Sequence, residues 1–69
     1  MERELVSSST IVSVGYDQQS ETLEIEFKGG MVYQYYNVPA RIYEQLMESG
    51  SKGQFHSANI KNAFPYSRV

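Results

Sequence analysis

Residues 21–39 read ETLEIEFKGGMVYQYYNVP, and this stretch decides the fold of the chain. Its first part alternates, with Leu23, Ile25 and Phe27 apolar and charged residues between them. A period of two is typical of a strand that buries one face. The pair Gly29-Gly30 interrupts the alternation, and a tyrosine-rich run follows it. The stretch therefore predicts a β-hairpin whose second arm carries the tyrosines.

The length of the turn between the two arms determines where Tyr33 and Tyr35 lie. A two-residue turn pairs Phe27 with Val32 and places both tyrosines on the face opposite the apolar residues. A three-residue loop with a bulge shifts the pairing by one residue, so that both tyrosines face the core. Adjacent glycines suit the type I′ turn, in which both central residues have positive φ. We therefore expect the two-residue turn and an exposed tyrosine pair.

One further strand is predicted before the hairpin. Residues 10–16 alternate, and a polar four-residue loop joins them to the strand at 21–28. This loop length pairs Tyr16 with Glu21 and places Val14 on the apolar face of the hairpin. Residues assigned to the other face of this strand are Ile11, Ser13 and Gly15. The polar residues 1–9 are expected to form a frayed lead-in.

Two helices are predicted after a third strand at residues 31–37. Residues 39–48 begin with a proline and carry apolar side chains four apart, which is typical of an amphipathic helix. A second short helix is expected at residues 52–62, and residues 66–69 are expected to be extended and to pair with a sheet edge. The predicted fold class is α+β: a three-stranded antiparallel meander covered by a helix, with a second short C-terminal helix, in a single domain of residues 1–69.

Composition excludes several kinds of site. The 69 residues include no cysteine and one histidine, and the net charge is −2. A disulfide and a multi-histidine metal site are therefore excluded within one chain, and we expect neither a metal nor a cofactor. The apolar runs are too short to cross a membrane and the N-terminus lacks a signal-peptide core, so we expect a cytoplasmic protein without membrane contact. The region after Glu48 has no acid and carries Lys52, Lys61 and Arg68.

The tyrosine pair is the first candidate for a ligand-binding surface. Exposed Tyr33 and Tyr35 would stack unpaired bases, as aromatic residues do on other small sheets. Glu24 and Glu26 would share that face and repel phosphate. In the alternative interpretation both tyrosines pack under a loop, under the second helix or against a second subunit.

The segment Ser51-Lys52-Gly53 is the second candidate. It precedes the second helix, and a helix N-terminus presents free N–H groups and a positive dipole end to anions. The alternative is an ordinary turn between helices in which Ser51 caps the second helix. The basic residues that would add charge to this surface are Arg41 and Lys61.

The sequence contains no recognisable pair of a nucleophile and a general base. His56 has no acid or nucleophile near it in the chain, which is typical of a structural or surface histidine. Glu24 and Glu26 lie two residues apart on one strand and are interpreted as a solvated outer face. We therefore expect a protein that is not an enzyme.

The order of these motifs resembles the KTSC domain family. That domain occurs at the C-terminus of some lysyl-tRNA synthetases and as small stand-alone proteins in bacteria and phages, and its central Tyr-x-Tyr motif is matched here by Tyr33 and Tyr35. The resemblance covers residues 6–69 and implies, through the synthetases, an RNA ligand. Other residues that carry it are Val14-Gly15-Tyr16-Asp17, Thr22-Leu23-Glu24-Ile25-Glu26-Phe27, Gly30, Gln34, Asn37-Val38-Pro39, Tyr43, Leu46, Ser49, Ser51-Lys52-Gly53, Phe55-His56 and Ile60.

Two functional hypotheses follow from the sequence. The first is a non-catalytic module that binds RNA or another phosphate-bearing ligand through the tyrosine pair, Arg41, Ser51-Lys52-Gly53 and Lys61. The second is a protein-interaction module, with a protein partner or a second copy of the chain covering the aromatic patch.

Overall fold

The computed structural model describes all residues, 1–69. The α+β class is confirmed, but the antiparallel sheet has five strands in the order β1-β2-β3-β4-β5 instead of three. No helix is both long and apolar enough to span a membrane. The elements are β1 (Glu4–Leu5), β2 (Ile11–Asp17), β3 (Thr22–Phe27), β4 (Val32–Tyr35), α1 (Ala40–Glu48), α2 (Lys52–Asn59) and β5 (Tyr66–Arg68).

The two extra strands come from the ends of the chain. The expectation of a frayed lead-in was wrong, because β1 pairs with β2 and places Glu4 opposite Val14. Gly15 permits this close passage, since a Cβ there would lie 2.6 Å from the carbonyl oxygen of Glu2. At the other end β5 pairs with β4 and places Tyr66 opposite Tyr35.

The register between β2 and β3 differs from the prediction by two residues. Tyr16 lies opposite Leu23 and not opposite Glu21. Because side chains alternate with a period of two, this shift leaves Val14 and Tyr16 on the predicted apolar face. Glu21 instead lies in the connecting turn, with a positive φ of 54°.

A bulge in β2 changes the face of Ile11. The pairing is Ser13 with Glu26 and then Ile11 with Phe27, so β2 carries one extra residue between these pairs. An extra residue reverses the alternation beyond it, which turns Ile11 into the core. Ile11 is fully buried, and its assignment to the other face was wrong.

The loop between β3 and β4 has three residues, so the prediction of a two-residue turn was wrong. Phe27 N donates to Met31 O at 2.8 Å, and Leu23 lies opposite Tyr35. Both Tyr33 and Tyr35 therefore lie on the core face. The physical reason is the neighbouring Gln34, because the two-residue register would bury its amide on that face at a free-energy cost. In the observed register this amide donates to Glu24 Oε1 at 2.8 Å.

Alanine at Gly30 is expected to destabilise the protein by about 1–2 kcal/mol, because the residue adopts a φ that L-amino acids rarely adopt. Gly30 has φ 93°, and a Cβ added there would meet no atom within 4 Å. Gly50→Ala is the matched control, since Gly50 also faces open space but has no positive φ. Urea unfolding of both variants measures the difference. Equal losses in the two would contradict the backbone explanation.

Both helices cover the same face of the sheet. Leu46 of α1 and Ile60, which follows α2, are fully buried against the apolar sheet residues. The prediction for α1 at 39–48 agrees with the structure to within one residue. In contrast, α2 ends at Asn59 and not at 62, because the N–H groups of Ile60 and Lys61 both donate to His56 O, at 3.0 and 2.9 Å. This wide turn ends the helical hydrogen-bond ladder.

Candidate functional site

A cavity of about 310 Å³ lies between β4, β5 and the C-terminal half of α2. We call it the aromatic cavity. Its volume is at the lower end of the range for small-molecule sites. Its lining residues are Phe27, Met31, Tyr33, Tyr35, His56, Lys61, Asn62 and Tyr66.

Aromatic rings form the walls of this cavity. The ring of Tyr33 stacks on that of Tyr66, with centroids 5.6 Å apart and planes inclined by 25°. Phe27 meets Tyr33 edge-on at 5.8 Å. Tyr66 is 57% exposed, whereas Tyr35 is 3% exposed. The accessible stacking surface is therefore formed by Tyr33 and Tyr66, and Tyr35 lies beneath it.

A buried hydrogen bond joins Tyr35 to His56 at the floor of the cavity, with 2.7 Å between Oη and Nε2. Burial, helped by the nearby Tyr33 and Tyr66, raises the pKa of Tyr35 to about 12. Burial also lowers the pKa of His56, and the positive charge of Lys61 acts in the same direction. Both groups are therefore neutral at neutral pH.

A second, larger cavity of about 690 Å³ lies beside the first. We call it the hydroxyl cavity, because three serines and a threonine are among its lining residues. Phe27, His56 and Lys61 line both cavities and form a ridge between them. The other lining residues are Ser9, Thr10, Ser51, Gly53, Gln54, Ser57 and Ala58.

The structure brings together five of the seven site residues predicted from the sequence. Those in the aromatic cavity are Tyr33, Tyr35 and Lys61, and those in the hydroxyl cavity are Ser51, Gly53 and Lys61. Arg41 is exposed on α1 and lines neither cavity. Lys52 lines neither as well, and its Nζ donates to Ser49 O at 3.2 Å. The membership of these two residues in a site stays a prediction.

The Ser51 segment is also a helix cap, as the alternative interpretation expected. Gln54 N donates to Ser51 Oγ at 3.4 Å. Gly53, two residues further on, must lack a side chain, because a Cβ there would lie 2.5 Å from Thr10 Oγ1. The first turn of α2 therefore packs directly on Thr10, the residue that precedes β2, and this contact forms part of the wall of the hydroxyl cavity.

Sequence reasoning missed several residues that line the cavities, among them Phe27, His56 and Tyr66. Phe27 was assigned only to the core, His56 to a structural or surface role, and Tyr66 to an extended C-terminus. The Phe55-His56 pair belongs to the family pattern, which was the one available signal for His56. Nothing in the local sequence relates Tyr66 to Tyr33, because strand pairing over this distance is a tertiary event.

The opposite face of the sheet carries a closed polar network instead of a solvated surface. Arg3 Nη1 donates to Glu24 Oε2 at 2.6 Å, and Ser13 Oγ donates to Glu26 Oε1 at 2.9 Å. Burial alone would raise the pKa of Glu24, but hydrogen bonds from Gln34 and Arg3 and the charge of Arg3 outweigh it and lower the pKa. The expectation of a solvated Glu24 was wrong. The carboxylates of Glu24 and Glu26 are therefore bonded to groups of the protein itself.

Stability is expected to fall as the pH drops below about 6.5, the ordinary pKa of histidine. Above this value His56 is neutral in both the folded and unfolded states. Below it the unfolded chain binds a proton that the folded state resists, because burial and Lys61 lower the pKa of His56. The loss continues down to the folded-state pKa. Urea unfolding between about pH 7.5 and about pH 5.5 measures it.

The matched variant for this effect is His56→Gln, in which residue 56 does not titrate. Its free energy of unfolding should change less with pH over the same pH range. Glu24 does not interfere, because its lowered pKa makes its contribution fall only below about 4.5. An unchanged slope in His56→Gln would contradict the assignment to His56.

The fold and cavities define a small α+β domain in which one edge of an antiparallel sheet and a short helix enclose an aromatic cavity. No cluster of three or more histidine, aspartate or glutamate residues that could hold a metal is present. The KTSC domain family model matches residues 7–64. The chain belongs to the KTSC domain family, and the resemblance seen in the sequence is confirmed.

Relatives of two kinds match the chain. A lysine–tRNA ligase of Nostoc punctiforme is 39% identical over 61 residues, which are 88% of this chain and 11% of the ligase. An uncharacterized protein of Stutzerimonas stutzeri is 39% identical over 61 residues, 88% of this chain and 86% of that protein. The chain thus spans only about a ninth of the ligase.

A solved structure has the same fold. The crystal structure of a KTSC domain protein from Yersinia pestis superposes with a TM-score of 0.93 at 42% sequence identity, covering 99% of this chain and 96% of that one.

Proposed function

We propose that this protein is a non-catalytic module that binds single-stranded RNA. An unpaired base stacks in the aromatic cavity, and an adjacent phosphate lies at the hydroxyl cavity. The observation that carries this proposal is the accessible Tyr33–Tyr66 stack beside the cation of Lys61. Proteins that bind single strands combine such stacking surfaces with basic groups.

The sheet register removes the main objection to a phosphate-bearing ligand. Glu24 and Glu26 would repel phosphate if they shared a face with the tyrosines. Tyr33 instead lies opposite Ile25 in the ladder, and Glu24 is bonded to Arg3 on the other side of the sheet. Lys61 is exposed on the ridge, where its charge is available to a ligand.

Two further observations support the proposal. Lysine–tRNA ligases act on tRNA, so a domain that they share with this chain is consistent with an RNA ligand. The only side-chain hydrogen bond of His56 is to Tyr35, a neutral phenol, and no carboxylate activates the ring. A general base oriented by an acid is therefore not assembled in the cavity.

Binding of a short single-stranded oligoadenylate tests the proposal directly. The affinity should fall between about 50 mM and about 200 mM salt. Lys61→Gln should weaken binding and reduce the salt slope by about 0.7, the value for one phosphate contact in a single strand. Arg41→Gln is the matched control, because it removes the same charge from a residue outside both cavities.

Absence of binding at low salt would end the RNA proposal. An equal loss of affinity in Arg41→Gln and Lys61→Gln would argue against the cavities as the binding site. It would instead support the surface predicted from the sequence, which includes Arg41.

Self-association is the second candidate function, because β5 is an edge strand with an unpaired outer side. Tyr66 and Val69 at this edge are exposed, and Met31 lies in the same aromatic cavity as Tyr66. A second copy or another protein could pair with this edge and cover the ring of Tyr66. Sedimentation over a range of concentrations tests this candidate. A monomer throughout would exclude a homodimer.

A further inference from the structure

The imidazole of His56 has one nitrogen with a partner and one without. Nε2 is bonded to Tyr35, and no side-chain hydrogen bond involves Nδ1. Every side-chain nitrogen or oxygen that is sealed from solvent has a partner in this protein. Nδ1 has none, so it must be reachable from solvent. His56 is only 8% exposed, and it borders both cavities at the ridge.

The surroundings of Tyr35 determine which nitrogen of His56 carries the hydrogen. If Nε2 were protonated, it would donate to the phenolic oxygen, and the buried phenolic hydrogen would have no acceptor in the protein. If Tyr35 donates to Nε2, the phenolic hydrogen and Nε2 are both hydrogen-bonded. The hydrogen of the neutral ring then lies on Nδ1. Burial keeps both groups neutral, since it raises the pKa of Tyr35 and lowers that of His56.

We infer that the Nδ1–H group of His56 donates a hydrogen bond to a phosphate oxygen of the bound ligand, and that Tyr35 is the positioning residue that holds this tautomer. The inference rests on the proposed function and deepens it. The ligand class is a nucleotide and not a nucleoside, because the phosphate provides the oxygen that Nδ1–H recognises.

The position of Lys61 favours phosphate over other acceptors. Lys61 borders the same two cavities as His56, and its charge attracts an anion to the ridge. Hydrogen bonds to an ionised acceptor are shorter and about twice as strong as those between neutral groups. The Nδ1–H group fixes the orientation of the phosphate, and the flexible Lys61 side chain contributes the positive charge that attracts it.

Nitrogen NMR of the free protein tests the tautomer. His56 is the only histidine in the chain, so every imidazole signal belongs to it, and the couplings of each nitrogen to the ring protons distinguish Nδ1 from Nε2. In a neutral imidazole the protonated and unprotonated nitrogens differ strongly in ¹⁵N shift. We expect the protonated type at Nδ1 in the wild type and a mixture of tautomers in Tyr35→Phe. Protonation at Nε2 in the wild type would overturn the inference, whether or not RNA binds.

Titration with adenosine monophosphate, adenosine and inorganic phosphate tests the ligand class. Adenosine monophosphate should shift both Nδ1 and the tyrosine rings, and adenosine should shift the rings alone. If the nucleotide and the nucleoside bind equally and leave Nδ1 unchanged, the inference fails while the proposed function stands. An equally strong Nδ1 shift with inorganic phosphate alone would overturn the assignment to a nucleotide. If no probe binds, oligoadenylate included, both proposals fail.

Two variants separate the nitrogens of His56. The amide nitrogen of asparagine reaches the Nδ1 position, whereas that of glutamine reaches the Nε2 position. His56→Gln should therefore lose about tenfold in affinity for adenosine monophosphate, the effect of one hydrogen bond to a charged group, and clearly less for adenosine. His56→Asn should lose less. The reverse order would overturn the role of Nδ1.

Discussion

Leu46→Ala is expected to lower the free energy of unfolding by about 2–5 kcal/mol, the usual cost of a cavity left by a buried leucine. Leu46 is 0% exposed and is the one fully buried residue of α1. A chain of this size has a total stability of only about 3–10 kcal/mol. The variant should therefore lose a large fraction of its stability and unfold at a clearly lower urea concentration.

Leu5→Ala is the matched control for this prediction. The substitution is the same, but Leu5 is 81% exposed on β1, so the loss should remain within about 0.5 kcal/mol. Urea unfolding followed by circular dichroism measures both variants. Similar losses in the two would mean that Leu46 does not hold α1 on the sheet.

Tyr66→Ala is expected to weaken oligoadenylate binding about 5- to 150-fold, which corresponds to the stacking energy of one base. Tyr66 supplies the exposed half of the Tyr33–Tyr66 stack. Its removal takes away a ring that a base would contact and leaves the core intact, because the side chain is largely outside it. Fluorescence anisotropy of a labelled oligonucleotide measures the loss.

Two further variants separate stacking from other effects. Tyr66→Phe keeps the ring and should retain most of the affinity. Tyr43→Ala removes a tyrosine that stacks on Tyr16 at 4.9 Å and lines neither cavity, so the folded variant should bind like the wild type. If Tyr43→Ala and Tyr66→Ala weaken binding equally, the effect arises from stability and the aromatic cavity is not the site.

The candidate site could be predicted only in part, because its residues come from distant segments. Tyr33 and Lys61 were identified from residue type, since an aromatic pair and a basic third of the chain are visible in the sequence. His56 was dismissed because no partner lies near it in the chain. Its partner Tyr35 is 21 residues away and reaches it only because the register places Tyr35 on the core face.

The sequence by itself determined β2, β3, β4 and both helices of this protein, but not the edge strand β1. Strict alternation in the segment that became β3, apolar spacing of four in α1 and the capping serine before α2 are local signals, and each is set by interactions within a few residues. The α+β class followed from their order. The glycine pair is also a local signal, and it predicted the turn between β3 and β4.

Only the tertiary structure decided the length of that turn. Glycine permits positive φ in either a two- or a three-residue loop, so the local preferences do not separate them. The choice depends on which side chains the helices bury, and burying Tyr35 costs less than burying the amide of Gln34. The register, and with it the aromatic cavity beside His56, is therefore a consequence of packing between segments that are far apart in the chain.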